Sequence, residues 1–422
     1  MNNAPRLGLA SALALVLSAG AALAAEPVTV QYWVYSDFAE GDALKLQQQF
    51  IAEFEKAHPG VKIVISGKGD DDLTTGEVTG AASGNPPDVF MNGLPFGAQL
   101  VEAGALDNIY PKWMAAPQAY RDQFDKDAIA SCTPKPETMY CLPYTGFNEL
   151  LFRNLTVLKG AGIDASRPPK DWAEWFDQMK KVKAAGKFAM PDQTQVFNSV
   201  ASTYSIVGPH DEWGIDFGAK KTKINPESYA KALELFVDMK PLTSGTSRND
   251  QATKDLFISN QLAFHVVGPW VDPTYSQAAQ ASGLKYDFVL VPGAKEGQHA
   301  GVKAYEILGV APGKNADIAW QFAAYVSDKP QMLRWAKLLS RYNANAAAMA
   351  DPEVANLPLI AKSVEAVKYG LDVRPPYFAG VYPNCYGSIV TDNAAAVADG
   401  KTTPADGAKA LVKDLNDCIA GN

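Results

Sequence analysis

Hydrophobic residues dominate Thr29–Tyr35 (TVQYWVY), a β-branched and aromatic run that predicts a strand. A helical pattern follows, with Leu46, Phe50, Ile51, Phe54 and Ala57 at helical spacing, and His58-Pro59-Gly60 stops it. Val61–Ser66 alternates as a second strand. Strand, helix and strand within about 40 residues form a βαβ unit and predict parallel pairing. Asp88–Met91 predicts a third, buried strand after the turn Gly84-Asn85-Pro86-Pro87. Further on, Glu149–Phe152, Leu262–Val267, Phe288–Pro292 and Tyr305–Val310 predict strands. Asp171–Lys183, Ser228–Met239 and Ile318–Val326 predict helices. No repeat interrupts this order, which fits two α/β lobes joined by several crossings better than domains strung on a linker.

The amino-terminal segment predicts export from the cytoplasm, which changes how the cysteines are read. Arg6 precedes an Ala/Leu-rich apolar stretch, Leu7–Leu23, that closes on Ala22-Leu23-Ala24. That is the form of a cleaved secretory signal peptide over residues 1–24, too short and too abruptly followed by polar sequence for a membrane span. In an oxidising compartment the four cysteines are read as disulfides. Adjacent pairing is the simplest connectivity, Cys132 with Cys141 and Cys385 with Cys418. A metal is the alternative, but one C-x8-C with no neighbouring histidine is poor ligand spacing.

The full chain is an ordinary globular sequence, 47% hydrophobic and 20% charged, which excludes a disordered, collagen-like or coiled-coil protein. Its net charge of −8 argues against a nucleic-acid partner, since neutralising phosphates takes a basic surface. The four histidines are scattered, so no metal site and no cofactor is expected. No G-x-S-x-G, H-E-x-x-H, Walker A loop or G-x-G-x-x-G in its proper context occurs. A secreted glycoside hydrolase is the enzymatic alternative. It would need two carboxylates flanking one bond, and no local pattern singles out such a pair.

Several segments carry a resemblance. Phe50–Ile63 (FIAEFEKAHPGVKI), Ala82–Phe90 (ASGNPPDVF), Leu100–Ile109 (LVEAGALDNI), Pro143–Asn154 (PYTGFNELLFRN) and Phe257–Trp270 (FISNQLAFHVVGPW) are similar, in order, to motifs of the extracellular solute-binding proteins of ABC importers. The group they resemble is the carbohydrate-binding one related to maltodextrin-binding protein. Asn260 stands where that family usually has glycine. The resemblance implies a type II-like periplasmic-binding-protein fold. Each lobe would be a mainly parallel sheet flanked by helices, with ligand held in the cleft between them. On that template the first lobe comprises 25–145 plus 300–340 and the second 146–299 plus 341–422. It further implies a monomeric periplasmic binder, not an enzyme, that delivers a sugar to ABC permease subunits in the inner membrane.

Open α/β sheets hold ligands at the carboxyl ends of their strands, and a sugar needs both an aromatic face and directed polar groups. Those rules select Tyr35, Ser36 and Asp37 after the first strand and Asn92 after the third. They also select Tyr144 and Asn148 on the first crossing, and Tyr305, Arg341 and Arg374 where the chain returns. Trp270, where the resembled family often has an aromatic, is the expected stacking residue. Trp33, Trp172, Trp213 and Trp320 read as packing residues, and His265, inside an apolar strand, as a satisfied core histidine.

Overall fold

The structure, a computed structural model, describes residues 27–192, 215–216, 219–293, 295–300, 303–368 and 385–421. The expected signal peptide, Trp213 and Arg374 lie outside the described residues. The βαβ unit forms as expected. Strand β1 (Val28–Tyr35) leads through helix α1 (Gly41–Ala57) to β2 (Val61–Lys68), and helix α2 (Asp70–Ala82) leads on to β3 (Val89–Gly93). β1 lies between β2 and β3 and is parallel to both. Its alternation buries Val30, Tyr32 and Val34, and α1 buries Leu46, Phe50, Ile51 and Phe54 in the same core. That removal of apolar surface from water is the main force holding α1 on the sheet. Trp172 and Trp320 are buried packing residues, as expected.

Strand β4 (Leu142–Asn148) closes this sheet at one edge, and β5 (Leu150–Asn154) follows after a single residue. Farther along come β6 (Thr243–Ser247), β7 (Phe264–Val267), β8 (Tyr286–Val289) and β9 (Lys303–Val310). The first sheet runs β2-β1-β3-β9-β4, with β9 antiparallel to both neighbours. The second sheet, β7-β5-β8, is antiparallel throughout, where a mainly parallel one was expected. Helix Asp272–Ser282, which was not expected, links β7 to β8, and β5 inserts between the two strands and runs against both.

Each sheet has its own core, and a third cluster forms where helices Pro226–Met239, Tyr386–Ala398 and Pro404–Gly421 meet. Both expected disulfides are present. Cys132–Cys141 spans the tight turn at Lys135–Thr138, and Cys385–Cys418 joins two helices of the third cluster. Tyr342, Ala344, Met349 and Val354, expected in the second lobe, pack in the core of the first sheet. The chain leaves that core later, at helix Pro358–Val367, where Ile360 faces the first core and Leu359 and Ala366 face that of the second sheet.

Candidate functional site

Four strands of the first sheet, β1, β2, β3 and β4, end at one edge, and antiparallel β9 brings its amino half there, with Glu306 opposite Gly93. Beyond β1 the chain makes a short 3-10 turn, Ser36–Phe38. Phe38 anchors it by packing against Trp335, ring centroids 5.3 Å apart, which leaves Ser36 and Asp37 exposed. Arg341 arrives at the same place after helix Lys329–Leu339. Its guanidinium lies 4.4 Å from the centroid of the Phe38 ring and is ion-paired with Asp37. The next residues run beside β4, with Gly146 N–H donating to Tyr342 O (3.0 Å) and Ala344 N–H to Tyr144 O (2.9 Å). Gly146 is required there, because a Cβ would sit 2.3 Å from the Tyr342 ring. Thr145 donates its hydroxyl to Glu306.

Beneath this edge lies a buried polar cluster that the sequence did not reveal. The Asn92 amide donates to Glu77 Oε2 (2.6 Å) and to Thr74 Oγ1 (3.0 Å). Its carbonyl accepts the Gly93 N–H at 2.7 Å and the Tyr35 hydroxyl at 3.4 Å. Asn92 and Glu77 are fully buried, so Asn92 acts by fixing Tyr35 from behind rather than from the surface. Burial pushes the Glu77 carboxyl well above the usual carboxylate range, against the opposing bond from Asn92. The native state therefore holds a proton that the unfolded chain releases. The resulting stabilisation is complete below the unfolded value of about 4.3 and is lost as pH rises toward the folded value. Glu77→Gln keeps the neutral shape without the proton. Its thermal unfolding is expected to vary less between about pH 5 and 8 than the wild type's. An unchanged pH profile would contradict a buried, protonated Glu77.

Two other expected residues also lie in the core. Tyr144 and Tyr305 are buried, Tyr305 with its hydroxyl 3.4 Å from that of Tyr342. Burial raises both phenols, so both stay protonated. Asn148, the last residue of β4, is fully buried, and neither atom of its side-chain amide has a hydrogen-bond partner among the described residues.

Glu149 follows, is also fully buried, and is ion-paired with Arg248, just past β6. The Arg248 carbonyl can only accept, so His265 Nε2 carries a proton and donates to it at 2.8 Å. Nδ1 then accepts from the Tyr275 hydroxyl at 2.7 Å. Burial lowers the His265 imidazole to about 3, so it stays neutral, the satisfied core histidine expected. In the second sheet, β7 and β8 end beside the start of β5, with Val267 opposite Leu150 and Val289 opposite Leu151. Half-buried Trp270 follows in the turn Pro269–Val271, its ring folded so closely over Gly268 that a Cβ there would lie 1.8 Å away. Glu149, Arg248, Thr74, Glu77 and Glu306 were not singled out from sequence. The usable signal was a charge, Glu149, heading the buried run Leu150–Phe152.

Among the described residues no group of three or more His, Cys, Asp or Glu side chains could hold a metal. No described helix is long and apolar enough to cross a membrane. A separate groove of 710 Å³, lined by Phe54, His58, Tyr120, Trp320 and Tyr325 among others, includes none of the strand-end residues.

Two α/β bodies whose strand ends meet at one chain passage, flanked by exposed polar groups and a half-buried tryptophan, have the form of a two-lobed binding protein. The chain belongs to the bacterial extracellular solute-binding proteins, whose family profile matches residues 49–362. The sn-glycerol-3-phosphate-binding periplasmic protein UgpB of Agrobacterium fabrum is 26% identical over 184 residues, 43% of this chain and 41% of that one. UgpB of Brucella abortus is 27% identical over 229 residues, 50% of this chain and 51% of that one. The chain thus spans about half the length of the curated relatives it matches.

Among solved structures, the GacH receptor of Streptomyces glaucescens superposes with a TM-score of 0.78 at 20% identity, over 93% of this chain and 98% of that one. An ABC transporter solute-binding protein from Thermotoga lettingae, bound with alpha-D-tagatose, gives 0.78 at 19%, over 93% and 100%. The Thermus thermophilus maltotriose-binding protein gives 0.75 at 16%, over 92% and 100%. At such identities the fold is what is shared.

Proposed function

We propose that this protein is the periplasmic substrate-binding component of an ABC import system. It would bind a sugar, from monosaccharide to oligosaccharide or a derivative, between its lobes and deliver it to the membrane permease. The observation that carries the reading is the passage at Asn148–Glu149–Leu150. There the carboxyl ends of β1, β3 and β4 in one sheet and of β7 and β8 in the other come to the same place. Solved neighbours in complex with acarbose, alpha-D-tagatose and maltotriose support a saccharide as the ligand class.

On this reading Tyr35, Ser36, Asp37, Asn148 and Arg341 meet sugar hydroxyls, Trp270 meets an apolar sugar face, and Arg374 is a further contact. A buried hydroxyl without a partner costs roughly 1–3 kcal/mol, so the unpartnered amide of Asn148 is a natural place for one. Asn92, Tyr144 and Tyr305 support the edge from within. The first lobe keeps the chain to about residue 357, and the protein works as a monomer. Ligand touching both lobes favours the closed form by its extra contacts there, and that differential affinity drives closure.

The test is a thermal-shift screen against saccharides and polyols, followed by small-angle scattering of any hit. The radius of gyration is expected to fall at saturation, and the hit should be recovered uncleaved after prolonged incubation. Unchanged dimensions would contradict closure, and cleavage products would favour a glycosidase.

A further inference from the structure

Three cationic side chains described at the strand ends each have a partner. Arg341, its side chain 13% exposed, is ion-paired with Asp37, whose side chain is 51% exposed. Arg248 is ion-paired with Glu149. Lys68, the last residue of β2, holds its ammonium 4.5 Å from the centroid of the Trp33 ring. Two carboxylates, Asp37 and half-buried Glu306, stand at the same edge.

We infer that Asp37 sets the charge specificity of this cleft: paired with Arg341, it accepts an uncharged polyhydroxylated ligand and excludes a phosphorylated one. The inference rests on the sugar reading above and narrows it. A hydroxyl both donates and accepts, so two neighbouring hydroxyls can use a guanidinium and a carboxylate side by side. A phosphate accepts only. To reach Arg341 it has to displace Asp37 or lie against its carboxylate, and a like charge set against the competitor is a direct means of discrimination. Relatives are named for binding sn-glycerol 3-phosphate, which makes that phosphorylated polyol the competitor to set against an uncharged ligand. The exposed position of Asp37, outside the core, makes it a residue that can set this choice without rebuilding the fold.

The experiment is calorimetric titration of the wild type and Asp37→Asn with the uncharged hits of the saccharide and polyol screen and with sn-glycerol 3-phosphate. The wild type is expected to bind an uncharged hit at least roughly tenfold more tightly than sn-glycerol 3-phosphate. Asp37→Asn is expected to gain roughly tenfold for sn-glycerol 3-phosphate and to weaken toward the uncharged hit. If Asp37→Asn does not fold by circular dichroism, Asp37→Ser takes its place. A wild type that prefers sn-glycerol 3-phosphate while still binding an uncharged sugar overturns the specificity and leaves the sugar reading intact. Phosphate affinity unchanged in the folded variant overturns it too. A wild type that binds no uncharged ligand overturns the sugar reading, and this inference with it.

Discussion

Glu149→Ala is expected to destabilise the protein by about 3–5 kcal/mol in denaturant unfolding followed by tryptophan fluorescence. The cost arises less from a lost attraction than from what remains. Arg248, its side chain 7% exposed, would be left in the interior without its counter-charge. The backbone carbonyl of Arg248 also receives the His265 hydrogen bond, so a shift of Arg248 toward water would pull on the Tyr275–His265 pair as well. Replacing both partners, Glu149→Met with Arg248→Met, removes the stranded charge and is expected to recover most of the loss. A single-variant loss below about 1 kcal/mol would show that water reaches Arg248 and that the pair is not truly interior.

The second large effect is expected at the carboxyl-terminal disulfide. Cys385 and Cys418 are 33 residues apart in sequence, against 9 for Cys132 and Cys141. Limiting the unfolded chain over the longer loop contributes about 3.5–4 kcal/mol, and over the shorter one about 2.5–3 kcal/mol. The longer loop also closes the helical cluster described above, where Val390, Leu411, Leu415 and Ile419 pack on Tyr229, Leu233 and Phe236. Replacing Cys385 and Cys418 by serine should therefore lower the melting temperature more than replacing Cys132 and Cys141. The reverse order would contradict this account.

How much of this was legible in the sequence follows from how local each determinant is. β1 and α1 were readable because a β-branched, aromatic run and helical spacing are properties of neighbours, and the core they build obeys them. α2 was not. Its sequence, Asp70–Ala82, holds two glycines and three threonines, which weaken the helical signal. The glycines serve tertiary packing. A Cβ on Gly76 would lie 2.7 Å from the Trp33 ring, and one on Gly80 would lie 3.0 Å from the Asn85–Pro86 backbone.

The site divides in the same way. Ser36 and Asp37 could be placed beyond β1 because strand ends can be located from sequence, whereas Arg341 reaches the same edge after a helix and not, as expected, on a return to the second lobe. The inward turn of Tyr305 was not legible, since β9 shifts register against β4 between Tyr305 and Ile307. Glu149 and Arg248 are 99 residues apart, and nothing local announces their pairing.

The passage from β4 to β5 consumes one residue, so the polypeptide has no slack between the two sheets at that point. The bodies can change their angle there but not their separation. On the proposed function, closure would be a rotation about Glu149. On the sugar reading proposed above, a ligand would meet Asp37 at the exposed edge and Asn148 beside the passage.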